Sequence, residues 1–201
     1  MIKVINEVKG TNLFKILKDT GSIMEGHFQL TSGYHSNYYL QCARLLQYPG
    51  ITFKLANKGL GVIKEKVELN KVNTVVSPAV GGIQWGYMLA YAGGYRMVFA
   101  ERKNKKMELR RGFEIKKDEE IIVAEDVVTT GGSVSEVIDI CKGYGAKVKA
   151  VVSIVDRSEN LKFECPYYYL INLNIDKYPP SRCELCRKNY PLEYPGSRKK
   201  F

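Results

Sequence analysis

The chain has 201 residues, 45% of them hydrophobic, which is enough for one substantial core with a small addition at an end. Lys and Arg number 31 against 21 Asp and Glu, and the resulting +10 attracts anions: nucleic acid, an anionic membrane surface or phosphorylated metabolites. No run approaches the roughly 18 apolar residues of a membrane span, "MIKVINEVKG" lacks the long apolar stretch of a secretory signal, and five unevenly spaced cysteines argue against a secreted disulfide framework, so a cytoplasmic protein is expected.

In chain order, Thr11 or Asn12 is expected to cap a short helix whose apolar residues are Leu13, Phe14, Ile16 and Leu17. "GSIMEGHFQLTSGYHSNYYLQC" reads as a strand, a turn and a second strand, broken by Gly26 and Gly33. A helical pattern over about 52–68 runs through Phe53, Ala56, Leu60 and Ile63, with Gly59 and Gly61 weakening its middle. "NTVVSPAVGG" gives a buried strand to Ser77 and a turn, and 82–92 gives a helix with Ile83, Trp85, Met88 and Leu89 apolar. "YRMVFAER" is a strand, "KNKKMELRRGFEIKKDEE" a charged loop or hairpin, and "IIVAED" a strand. A helix over 133–142 follows, then strands at "AKVKAVVSIVDRS" and "YYYLINLNI". Continuous apolar strands alternating with helical stretches predict an α/β fold with a mostly parallel central sheet flanked by helices. The tail from Pro179 onward is expected to be peripheral.

The informative junction is "IIVAEDVVTTGGSV", residues 121–134. Ligands of open parallel sheets sit beyond the carboxyl ends of the strands, and here Glu125 and Asp126 stand at such an end. Thr129, Thr130, Gly131, Gly132 and Ser133 then lead into a helix. Two glycines, three hydroxyls and the unpaired N–H groups of a helix start make a cradle for one phosphate. Two carboxylates are poor phosphate ligands. They suit the hydroxyls of an attached sugar, or hydrated magnesium, a hard cation that prefers oxygen. A phosphorylated sugar is therefore the expected ligand. The stretch is neither a Walker A loop nor the Gly-x-Gly-x-x-Gly dinucleotide fingerprint.

This stretch closely resembles the 5-phosphoribosyl-1-pyrophosphate (PRPP) motif of type I phosphoribosyltransferases. Further stretches narrow the resemblance to the orotate phosphoribosyltransferases: "LTSGYHSNYYL" at 30–40, "SPAVGG" at 77–82, "ERKNKKMELRRGF" at 101–113, "VDRSE" at 155–159 and the "CELCRKNYPLEYPGSRKK" tail. The similarity spans nearly the whole chain in order. It implies one domain over 1–201 with a small N-terminal hood formed mainly by about 1–50 and C-terminal segments. It implies a reaction of orotate with PRPP that gives orotidine 5'-monophosphate and pyrophosphate, in pyrimidine biosynthesis. Magnesium would accompany PRPP and be held mainly through it.

By the same resemblance, Glu125 and Asp126 hold the ribose hydroxyls, residues 129–133 hold the 5-phosphate, and Asp126 counts among the catalytic residues. Ala79, Val80, Gly81 and Gly82 would offer backbone N–H groups to pyrophosphate. Arg102, Lys103 and Lys106 would act from a mobile lid, with Arg110 or Arg111 ranked below them. Tyr38, Tyr39, Thr129 and Arg157 would bind orotate, Arg157 as a fork on its carboxylate. Two departures stand out: Glu108 occupies a place where many members have histidine, and Thr31 a place where several have lysine. His35 is left between a hydrogen-bonded turn residue and a neighbour of the substrate. A homodimer with shared active sites is implied. Cys183 and Cys186 form one Cys-x-x-Cys pair. Zinc needs four ligands, with Cys165 or a second subunit as candidate sources, so two reduced, packed cysteines are expected. The basic "GSRKK" is too short to establish nucleic-acid binding. The competing readings are a PRPP-sensing nucleic-acid-binding regulator on the same fold and a transferase for another base.

Overall fold

The computed structural model describes residues 1–195. Its main sheet has seven strands in the order β1-β9-β8-β7-β4-β5-β6. They are β1 (Ile2–Glu7), β4 (Val72–Pro78), β5 (Arg96–Lys103), β6 (Lys106–Leu109), β7 (Glu120–Val128), β8 (Lys147–Asp156) and β9 (Tyr167–Ile175). β5, β4, β7, β8 and β9 run parallel, and antiparallel β6 and β1 close the two edges. β2 (Ile23–Gln29) and β3 (His35–Leu40) form a separate antiparallel hairpin, the hood.

Side-chain alternation explains the continuous apolar run of β7. Ile122 and Ala124 enter one core layer with Leu60, Trp85, Leu89 and Val152, under α3 (Pro49–Lys64) and α4 (Gly81–Gly93). Ile121 and Val123 enter the opposite layer with Val98, Val134, Val137 and Ile138, under α5 (Gly132–Gly143). A strand buried on both faces has no polar residue until it leaves the core, and the first after Ala124 is Glu125.

Several sequence expectations need correcting. α1 (Leu13–Asp19) follows Asn12, whose φ is 49°, and neither Thr11 nor Asn12 caps it. Glu7 on β1 does so instead, accepting bonds from the Leu13 amide and from the Thr11 hydroxyl. α3 begins at Pro49, three residues earlier than the apolar pattern shows, because proline is pre-set for the first helical position. β1 itself was not anticipated: four of its six residues are exposed, so it carries no inward-facing stripe. The charged stretch after β5 resolves as a hairpin, with Asn104 and Lys105 at positive φ in its two-residue turn.

The tail is not peripheral. Tyr178 exchanges backbone hydrogen bonds of 2.8 Å with His35, and Glu193 donates to His27 at 2.7 Å and accepts from Gln29 at 2.9 Å. A short helix, α6 (Glu184–Arg187), lies between these two clasps. "GSRKK", residues 196–200, lies outside the described residues.

Candidate active site

Two turns meet at the carboxyl ends of β4 and β7. The first turn leaves β4 at Pro78, passes through a cis peptide between Ala79 and Val80, and enters α4 at Gly81. Of the four amides expected to face an anion, that of Ala79 is committed to the Ala100 carbonyl at 2.7 Å. Val80, Gly81 and Gly82 remain at the helix start, and Val80 is 75% exposed. Both glycines abut the acidic pair. A β-carbon at Gly81 would lie 2.7 Å from Asp126 Oδ1, and one at Gly82 would lie 3.0 Å from Glu125 Oε1.

The second turn, 129–133, opens α5. Gly131 stands just before the helix with φ of 76°, and a β-carbon there would strike Leu161 and Phe163 at 2.6 and 3.0 Å. Backbone conformation and crowding both require glycine. Glu125 and residues 127–134 line a shallow pocket of about 50 Å³ over this helix start. Its donors are backbone amides and the Thr129, Thr130 and Ser133 hydroxyls, suited to an oxyanion.

The carboxylates are electrostatically strained. Burial, then the charge of Asp126, push Glu125 up to about 9. Burial likewise raises Asp126. Without a ligand the pair therefore holds a proton at neutral pH, which donor hydroxyls or a cation would relieve. Two adjacent carboxylates also suit a hard divalent cation such as magnesium, which prefers oxygen.

At the end of β8, buried Asp156 accepts from the Ser158 amide at 3.0 Å and its hydroxyl at 2.7 Å. The Arg157 amide donates to Val128 at 2.8 Å, which ties this turn to the end of β7. The Arg157 side chain is largely desolvated, which lowers its pKa, and its buried Nε has no partner. Tyr39 and Cys42 lie within electrostatic reach of the guanidinium. A hollow of about 780 Å³ opens beside Arg157, Tyr167, Tyr169 and Asn172, and no phosphate-turn residue lines it.

The tyrosine pair divides. Neighbours on a strand face opposite sides. Tyr38 packs against the core, whereas Tyr39 sits 5.8 Å from the Phe28 ring and near Arg157. His35 is removed from the base side: it is buried among His27, Cys183 and Cys186.

The lid residues lie on the β5–β6 hairpin. Arg102 makes a two-point ion pair with Glu136 on α5, at 3.0 and 2.7 Å, and donates to the Lys105 carbonyl. Lys103 and Lys106 face each other across the hairpin end, exposed. Met107 anchors the hairpin in the core under α5. Arg110 and Arg111 are paired with Glu101. Glu108 stands opposite Glu101. Sequence reading missed Asp156 and Glu136, which act through partners far along the chain.

This arrangement is that of a type I phosphoribosyltransferase, and residues 54–178 match the phosphoribosyl transferase domain family. The chain is 47% identical over 185 residues to an orotate phosphoribosyltransferase of Thermotoga maritima, covering 92% of this chain and 97% of that one. It is 44% identical over 191 residues to that of Carboxydothermus hydrogenoformans, covering 94% and 98%. The crystal structure of orotate phosphoribosyltransferase from Aeropyrum pernix superposes with a TM-score of 0.61 at 24% identity, covering 90% of this chain and 91% of that one, and bears on the fold alone. The chain belongs to the orotate phosphoribosyltransferase family.

Proposed function

We infer that the protein transfers the phosphoribosyl group of PRPP to orotate, giving orotidine 5'-monophosphate and pyrophosphate in pyrimidine biosynthesis. The observation that carries this reading is that Gly81 and Gly82 pack on Asp126 and Glu125 while Glu125 also lines the pocket of the 129–133 turn, with the unpartnered Nε of Arg157 beyond the adjoining strand. The full-length relatives supply the base.

Each part has a task. The turn at 129–133 seats the 5-phosphate on the α5 amides. Glu125 and Asp126 accept the ribose hydroxyls and favour positive charge growing at the anomeric carbon as the bond to pyrophosphate breaks. Val80, Gly81 and Gly82 meet the departing pyrophosphate. Asp126, packed on the Gly81 turn, and Glu125 are the residues that would hold magnesium, which would supply positive charge against the departing pyrophosphate. Arg157 grips the orotate carboxylate as a fork. Tyr39 covers the flat ring, and Thr129 borders it. Tyr38 supports the strand from the core side. The β5–β6 hairpin delivers Arg102, Lys103 and Lys106 and excludes water when it closes over the pyrophosphate.

A homodimer with shared sites is part of the proposal. Its support is an exposed aromatic face on α3 and α4, where Tyr87 and Tyr91 are 61% and 70% exposed and Phe53 pairs with Tyr91 at 5.5 Å. The cytoplasm is the proposed location. No described helix is long and apolar enough to cross a membrane, and none of the five cysteines is in a disulfide. The regulator and other-base readings gain nothing specific from the geometry.

A base panel with magnesium and PRPP, read by product formation, tests the assignment. Orotate should react far faster than adenine or uracil. Faster turnover of either, or PRPP binding without turnover of any base, overturns it.

A further inference from the structure

We propose that His27, His35, Cys183 and Cys186 form a structural zinc site that fastens the C-terminal segment to the hood. The residues come from β2, β3 and the Cys-x-x-Cys turn that opens α6. They include both histidines of the chain. One donor atom from each lies within 4.8 Å of all the others.

Four of the six donor separations are close to those of a tetrahedron. Zinc–nitrogen and zinc–sulfur bonds of about 2.05 and 2.3 Å imply N···N of about 3.3 Å and N···S of about 3.5 Å. Here His27 Nε2 and His35 Nδ1 are 3.0 Å apart. Cys183 Sγ is 3.4 Å from His27 Nε2, and Cys186 Sγ is 3.5 Å from His27 Nε2 and 3.2 Å from His35 Nδ1. No carboxylate belongs to the group. Two thiolates and two imidazoles suit zinc and reject hard cations.

Orientation supports the same reading. His27 Nδ1 lies 3.0 Å from the Tyr190 carbonyl, an acceptor only. The ring therefore carries its proton on Nδ1 and turns the Nε2 lone pair inward, as a second shell does around a metal. His27, His35 and Cys183 are 3–4% exposed. Cys165, a candidate third ligand on sequence grounds, packs instead in the α5 core layer.

Four protein ligands leave no open position, so the ion has no catalytic role. Its role is closure: it joins residues roughly 150 positions apart, where loop-closure entropy is largest. The hairpin it holds carries Tyr39, and the site thereby fixes the strand that covers the base.

The test is elemental analysis of untagged, full-length protein, together with cobalt substitution and thermal unfolding. About one zinc per chain is expected. The Cys183→Ser/Cys186→Ser variant should lose it, and the cobalt form should show the absorption of a tetrahedral thiolate-imidazole site. Chelation should lower the unfolding midpoint of the parent protein and leave that of the double variant unmoved. Zinc-free parent protein with an unchanged midpoint under chelator would overturn the proposal. So would a Cys183–Cys186 disulfide in freshly purified protein, or zinc retained in full by the double variant. The parent measurements decide the matter even if the variant does not fold.

Discussion

Gly81 lies against Asp126 so closely that a β-carbon would come within 2.7 and 2.9 Å of its two carboxylate oxygens. The obstacle is the end of a flexible side chain, so the fold can yield while the site cannot. Gly81→Ala should therefore fold with an unfolding midpoint near the parent's and lose about 10²-fold in kcat/KM for PRPP, the cost of displacing a reacting geometry by about 1 Å. Steady-state kinetics beside a thermal melt checks both halves. A variant with unimpaired PRPP kinetics would show that Asp126 need not occupy its observed place.

The same crowding sets a pH signature. The Glu125 carboxyl is raised from 4.5 to about 9 by burial and by Asp126. Between those values the folded state binds more protons than the unfolded one, so this group's contribution to stability falls as pH rises. Glu125→Gln removes the titration. Its denaturant midpoint should exceed the parent's, with a gap that widens from about pH 5 toward pH 9. Its activity should fall at every pH, since an amide is a poorer acceptor for ribose hydroxyls. Parallel midpoints across that range would contradict the shift.

What was legible in the sequence was what local pattern can encode. The run from Ile121 to Ala124 is apolar on both faces, and acids followed by Gly-Gly-Ser announce the strand end and the helix start. What was not legible travels through backbone atoms or distant partners. The Tyr178 and Glu193 clasps use main-chain groups, which leave no side-chain signature. Strand β1 pairs with β9 at an exposed edge, so selection for a buried stripe is absent. His35 looked like part of the substrate segment because it sits in it, but its side chain meets His27 and the distant Cys186.

Arg102 is held by Glu136 on the helix that begins at the phosphate turn. In the role proposed for Arg102, it must leave this partner, and partly exposed pairs of this kind are worth about 0.2–1 kcal/mol. Glu136→Gln should lower KM for PRPP by roughly two- to fivefold. Arg102→Ala should cut kcat by about 10²-fold or more. A Glu136 variant with weaker PRPP binding would mean that the pair positions the lid rather than restraining it.

At the opposite end of β4, Glu119 is buried and accepts from Thr74, from Arg96 Nη2 at 2.8 Å and from the Lys116 amide at 2.7 Å. Burial raises its pKa, but these hydrogen bonds outweigh that and hold it below the usual value. Its stabilising contribution is present above 4.5 and lost as pH falls through the lower folded value. Arg96 is 44% exposed, so Glu119→Ala should cost about 2 kcal/mol, less than a fully buried pair. Urea midpoints at pH 7 and pH 4 should show the deficit shrinking in acid.

Arg157 separates function from stability most directly. Its Nε is buried without a partner and its charge is desolvated, which costs the folded, ligand-free protein free energy. Arg157→Met keeps the apolar stem and removes the charge, so the unliganded variant should melt higher than the parent. On the role proposed for Arg157, the same change removes the fork for the orotate carboxylate. At about 1.5–3 kcal/mol per charge-assisted bond, kcat/KM for orotate should fall by roughly 10²-fold or more while KM for PRPP stays near the parent's. Arg157→Lys should recover little, because a point charge does not reproduce two parallel N–H donors. Melting curves and separate titrations of the two substrates measure all three effects. A Met variant that lost stability and PRPP affinity together would make Arg157 a structural residue instead.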